Sequence, residues 1–139
     1  MSNRGIVLIV SISAVIVIGG IAAAIYFSRG FISDAVHVFQ EGSAFGRGKE
    51  APACVDEAVR RYDPQRDMMK QALDSAFVLA CLSGAKVSDE FCASVPTMST
   101  GDQAAARSWA DDQCRERERE GPGCALIFIQ VANYCHSKR

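Results

Sequence analysis

Charge is missing from one long stretch of this chain: no Asp, Glu, Lys or Arg lies between Arg4 and Arg29. A surplus of basic charge is missing as well. Of the 15 Lys and Arg residues only Arg4 precedes that stretch, and all 16 acidic residues follow it, so the remainder carries a net charge near −2. A field that small, without basic clusters interleaved with aromatics, excludes nucleic acid as a partner. C-x-x-C and H-x-x-x-H are absent too, which excludes covalent haem attachment, a thioredoxin-type motif and a short-spaced zinc site. Histidine is scarce. His37 and His136 have no Ser or Cys partner by motif, and the pairs Asp89-Glu90 and Asp111-Asp112 are helical neighbours that point in different directions. The chain is therefore read as no enzyme, with no catalytic residue, no cofactor and no metal.

What is present begins with "GIVLIVSISAVIVIGGIAAAIYF", residues 5–27. Twenty-three helical residues rise about 34 Å, against roughly 30 Å of hydrocarbon in a bilayer. A secretory signal needs only about 7–15 apolar residues before its cleavage site. Ala22–Ala24 resembles such a site, but the apolar run continues past it through Ile25, Tyr26 and Phe27. Tyr26 and Arg29 stand where interfacial anchors stand. Residues 5–28 are thus expected to be a transmembrane helix in contact with lipid, retained rather than cleaved, with residues 1–4 as a short cytoplasmic N-terminus. Positive charge is nearly balanced across the span and does not orient it.

Cysteine orients it. All six, Cys54, Cys81, Cys92, Cys114, Cys124 and Cys135, follow the apolar run. An even set in so short a region reads as a disulfide framework, and disulfides persist in oxidising compartments. The expectation is a single-pass membrane protein whose C-terminal domain is extracytoplasmic. Six reduced, buried cysteines in a cytosolic domain are the alternative.

Along the domain, residues 29–51 read as a helical stalk followed by a Gly-rich linker, "GSAFGRGKEAP" being its clearest part. Residues 52–139 read as the Cys-rich helical domain. A short helix opens at Pro52. Asp63-Pro64 is expected to start a second, with Met69, Leu73, Ala76, Phe77 and Ala80 on its apolar stripe and an end at Ser83-Gly84. Ser88 caps a short piece that Pro96 ends. Thr100–Gln103 fits a capping box for a helix bearing Ala105, Ala106, Trp109, Ala110 and Gln113 on one side. "RERERE" reads as a solvated helix end before the break at Gly121–Gly123. In the last segment a helix gathers Cys124, Phe128, Val131 and Cys135 on one face; a strand would have nothing to pair with. Trp109 reads as core, with a binding anchor as the sharper alternative.

Six cysteines allow fifteen pairings. On one helix Cys124 and Cys135 lie about 16 Å apart, beyond disulfide reach, so each must tie to another element. Cys114–Cys124 across the Gly-Pro-Gly turn is favoured. The spacings Cys81-x10-Cys92 and Cys114-x9-Cys124 are similar to the twin C-x9-C hairpins of the mitochondrial intermembrane space, but Ser83-Gly84 and Gly121–Gly123 interrupt them.

"FGRGKEAPACVDEAVRR", then "LACL", "FCASVP", a Trp with Cys five residues on, and a closing "YC" resemble small uncharacterised bacterial proteins with one membrane helix and a Cys-rich helical ectodomain. The resemblance implies an envelope location and no activity. The expected architecture is all-α: one N-terminal transmembrane helix plus a disulfide-stapled bundle of about four short helices. The expected role is a membrane-tethered, non-catalytic binding or assembly module with a protein partner in or near the membrane, such as an accessory subunit of an envelope complex. The alternative is a small envelope enzyme or inhibitor acting on secreted substrates.

Overall fold

The computed structural model describes residues 3–98 and 102–139. The chain is all-α, with six helices and no strand among the described residues. They are α1 (Asn3–Gly46), α2 (Ala51–Arg61), α3 (Met68–Gly84), α4 (Asp89–Ala93), α5 (Gln103–Glu116) and α6 (Pro122–Lys138). The chain divides into two compact units between Asp34 and Ala35.

The first unit is helical from Asn3 onward. Its described apolar side chains are bare: Val15, Ile16, Ile18, Ile21 and Ile25 all stand exposed. Among the described residues this is the one helix long and apolar enough to cross a membrane.

The second unit is built around α6. Its buried residues Cys124, Ile127, Phe128, Val131, Ala132 and Cys135 recur at three- and four-residue steps, the spacing of one helix face. That face packs against α3, α5 and α2. Phe77, Val78 and Leu82 of α3 meet Ile127, Phe128 and Val131 in one core, each fully or almost fully buried. Burial of each such side chain contributes about 1.5–3 kcal/mol. On α5, Ala106, Ala110 and Cys114 form the inner stripe, four residues apart; Ala105 faces solvent. Small residues there let α5 lie close to α6.

Local signals fix most helix ends. Ser88 accepts from Phe91 N at 3.2 Å and starts α4. α3 ends at Gly84 and α6 begins at Pro122, preceded by Gly121 at φ 108°. The capping box expected over Thr100–Gln103 falls partly outside the described residues; α5 is preceded by Asp102, whose carboxylate accepts from Thr97 Oγ1 at 3.2 Å.

Two expectations are corrected. Asp63-Pro64 does not start the second helix. Asp63 instead accepts from Gln65 N in a local turn, and Asp67 caps α3 by accepting from Lys70 N at 3.0 Å. The intervening residues are held out of the helix by their own bonds. Arg66 donates to Asp74 (2.6 Å) and to Arg61 O, while the Gln71 amide donates to Pro64 O and Arg66 O. Of the expected stripe Phe77 and Ala80 are buried and Leu73 and Ala76 half-buried, whereas Met69, in the first turn, lies 59 % exposed; the inner face also takes in Gln71, Asp74, Ser75, Val78, Cys81 and Leu82.

The second correction concerns the Gly-rich linker. Residues 42–46 are helix, and Gly42 and Gly46 press against the α3 backbone at Phe77 and Cys81. Only residues 47–50 connect α1 to α2. Even these are pinned, because Lys86 N donates to Lys49 O (2.9 Å) and Ala51 N to Lys86 O (3.0 Å).

An ionic clasp closes the same region. Arg61 of α2 donates to Glu41 of α1 (2.7 Å) and to Glu57 (2.8 Å), with its guanidinium 4.0 Å from the centre of the Phe77 ring. The Arg60 hydrogen bond, joined by that of Arg61, holds the Glu57 carboxyl down at about 2, and Arg61 lowers Glu41 likewise. Carboxylates depressed on folding contribute stability that is present above their unfolded value, 4.5, and is lost as pH falls toward 2. Asp74 works in the opposite sense: burial raises it despite Arg66, so protonation relieves a cost. Urea midpoints measured across this window are therefore expected to fall with acid. Glu57→Gln should make the fall shallower and Asp74→Asn should make it steeper. A Glu57→Gln profile parallel to that of the parent would remove the clasp from the account.

Candidate functional site

The six cysteines form three bridges: Cys54–Cys81, Cys92–Cys135 and Cys114–Cys124. The first ties α2 to α3. The second ties α4 to the end of α6, and the third ties α5 to the start of α6 across the Gly-Pro-Gly turn. Cys124 and Cys135 thus each bond a different element. All six sulfurs are consumed, so the cysteines hold the fold and offer no nucleophile.

Gly-Pro-Gly is a packing device as much as a break. A Cβ on Gly123 would run into the Gln71 amide and lie 2.7 Å from Tyr62 Cε2. The Tyr62 hydroxyl donates to Glu120 O at 2.8 Å, which anchors the loop ahead of α6 on α2. "RERERE" divides at this point: Arg115 pairs with Asp112 inside α5, whereas Arg117 lies beyond it with its guanidinium 5.1 Å from the Phe128 ring centre.

A cleft of about 230 Å³ lies between α2, α4, α5 and α6. Its apolar wall includes Val55, Phe91, Val95 and Phe128. Trp109 stands at its edge, half-buried, its ring in edge-to-face contact with Phe128 at 5.8 Å and 88°. Gln113 and Arg117 form the polar rim. They bond each other, Arg117 donating to both Gln113 oxygens at 3.1 Å, and Gln113 donates onward to Glu116. Drug-sized ligands occupy roughly 300–1,000 Å³. This cleft is smaller, matching one or two apolar side chains of a partner segment. Asp56 is the one carboxylate in its lining, and the described lining contains no His, Cys or Ser-His pairing to make acyl-transfer or acid–base machinery.

A larger, polar hollow of about 550 Å³ lies where α3 ends beside α4 and the end of α6. Several of its polar groups are engaged in structure. Ser88 caps α4, Arg139 donates to Cys92 O (2.5 Å) and Val95 O (2.8 Å), and the Lys138 ammonium lies 5.5 Å from the Tyr134 ring centre. His37 on α1 and His136 near the end of α6 are both exposed and lie outside both hollows. No cluster of three or more His, Cys, Asp or Glu suited to a metal occurs among the described residues.

Trp109, half-buried, both packs on Phe128 and lines the cleft. Phe91, Val95 and Arg117 carry no distinguishing pattern in the sequence, because they meet only through the fold. The clasp was partly legible: Glu57 lies three and four residues before Arg60 and Arg61, the spacing of helical ion pairs. Its third member, Glu41, was not. No protein-family model, no curated protein and no solved structure matches this chain.

Proposed function

We propose that the protein is a membrane-tethered, non-catalytic module for binding or assembly, anchored by residues 5–28, with its disulfide-bonded domain on the extracytoplasmic side. One conjunction carries this reading: an apolar helix with bare side chains precedes a domain closed by three disulfides. The helix suits a bilayer, and the bridges suit an oxidising compartment. The cleft beside Trp109, sized for apolar side chains and without acid–base machinery, supports protein recognition over catalysis. A partner in or beside the same membrane fits best, because tethering raises the effective concentration of anything that shares the surface.

The test uses cells expressing the full chain. After alkaline carbonate extraction the protein is expected in the membrane pellet. An impermeant maleimide should label no thiol before reduction and six after it, without permeabilisation. A soluble protein whose six thiols react without reduction would sink both the anchor and the compartment. Crosslinking before detergent extraction should then return a companion protein at constant stoichiometry. A chain that purifies alone at every crosslinker dose would overturn the assembly role.

A further inference from the structure

A folded domain of this size leaves single apolar side chains bare as a matter of course, but several gathered at one end mark a candidate contact surface. Within the second unit five stand exposed among the described residues: Val36, Phe39, Met68, Met69 and Leu126. Four of them belong to two short segments, the portion of α1 where the chain enters this unit and the first turn of α3. Met68 is 76 % exposed and Met69 59 %, while Val36 and Phe39 are each about half exposed.

These two segments lie at one end of the unit. A Cβ on Gly42 would meet α3 at Phe77, Ala80 and Cys81, and one on Gly46 would meet Cys81; one on Gly84 would lie 2.9 Å from Ser43 O and 3.7 Å from Arg47 N. Contacts advance together along both chains, so α1 and α3 run in the same direction. Stepping back from that contact, Val36 lies about 9 Å before Gly42, and Met69 lies about 12 Å before Phe77, at the rise of an α-helix. Both steps lead to the end at which Ala35 joins the unit to the residues before it. Gly123 packs on Gln71 in the first turns of α3, which brings the charged loop before α6 to this end as well.

We propose that this end of the domain, through Val36, Phe39, Met68 and Met69, is seated in the head-group region of the bilayer that holds residues 5–28. The proposal depends on the membrane-tether reading above and adds to it a second, non-spanning contact. Several features favour lipid as the occupant. These side chains lie toward the end of the unit where the chain arrives from the apolar helix, so the bilayer is the surface at the highest effective concentration. Flexible methionine side chains adapt to an irregular apolar medium. A mixed rim suits head-group depth, where apolar side chains enter the acyl boundary and charged ones stay hydrated: Lys70 is bonded only loosely to Asp67, at 3.7 Å, and both are well exposed. The result is a domain held down on its membrane, with the Trp109 cleft borne on a fixed platform.

The experiment places the full chain, labelled with ¹³C-methyl methionine, in phosphatidylcholine–phosphatidylglycerol nanodiscs and reads the methyl resonances by NMR. Met68→Leu and Met69→Leu supply the assignments. The expected result is that a nitroxide-labelled lipid erases most of the Met68 and Met69 intensity and little of the Met98 intensity, while a water-soluble gadolinium chelate leaves Met68 and Met69 largely intact. Erasure of Met68 and Met69 by the aqueous chelate overturns the proposal. So does protection from both agents, which would place a protein surface over the patch, and so does equal loss at Met98. Failure of the chain to enter nanodiscs at all is a separate outcome: it rejects the tether itself, and the seating falls with it.

Discussion

A chain carrying Cys92→Ala together with Cys135→Ala is expected to lose about 4 kcal/mol of unfolding free energy, the largest loss among the three bridges. Chain-entropy arguments scale the contribution of a bridge with the loop it closes. The separations are 43 residues for Cys92–Cys135, 27 for Cys54–Cys81 and 10 for Cys114–Cys124. They correspond to about 4, 3.5 and 2.7 kcal/mol. The long bridge also stands almost alone at its end of the fold. α4 is a five-residue helix, too short to persist without tertiary support. Apart from the bridge, the bonds from Arg139 to the Cys92 and Val95 carbonyls are its main polar ties to α6. The paired alanines should therefore act in two ways. The urea midpoint of the chain in mild detergent should fall on the order of 2 M, given m-values of about 1–3 kcal/mol/M. Amides from Val87 to Val95 should exchange with deuterium well before those of α3 and α6, because this segment opens ahead of the rest. An unchanged midpoint would mean that packing alone holds α4, and the ranking by loop length would fail with it.

The all-α architecture was legible because its causes are local. The face of α6 follows from the positions of Cys124, Phe128, Val131 and Cys135, and the start of α4 from a serine placed where the first free amides need an acceptor. What was illegible depended on partners distant in sequence. Asp63-Pro64 and Asp67 are both credible helix starts by composition. The choice between them is made by Arg66, which bonds Asp74 in the second turn of α3 and keeps the preceding residues outside it. Glycine is ambiguous for the same reason. "GSAFGRG" has the composition of a flexible connector and also the composition of a helix that must let another backbone come close. Nothing within the segment distinguishes the two, because the backbone that approaches belongs to residues 77–84. The Trp109 cleft likewise draws on four helices, and Arg117, the partner of Gln113 at its rim, was hidden inside a run that looked like plain surface charge.

Gly46→Ala offers the sharpest test of that close approach, and it is expected to destabilise the domain by on the order of 3 kcal/mol. In an open helix the same change favours folding by about 0.5–1 kcal/mol, because alanine loses less backbone freedom than glycine. Here the sign reverses. A Cβ on Gly46 would clash with the Cys81 carbonyl oxygen and lie 2.9 Å from its carbon and 3.2 Å from its Cα. All three are backbone atoms, with no rotamer to yield, and Cys81 is further restrained by its bridge to Cys54 on α2. Relief therefore requires α1 to move off α3, which strains the Glu41–Arg61 clasp and exposes part of the Phe77 ring that Phe45 covers at 5.9 Å. Gly30→Ala is the matched control, since a Cβ there meets nothing within 4 Å. Urea midpoints of the two variants should move in opposite directions, Gly46→Ala down and Gly30→Ala unchanged or slightly up. Equal midpoints for the two would show that residues 42–46 do behave as the slack connector their composition suggests, with no close approach to α3.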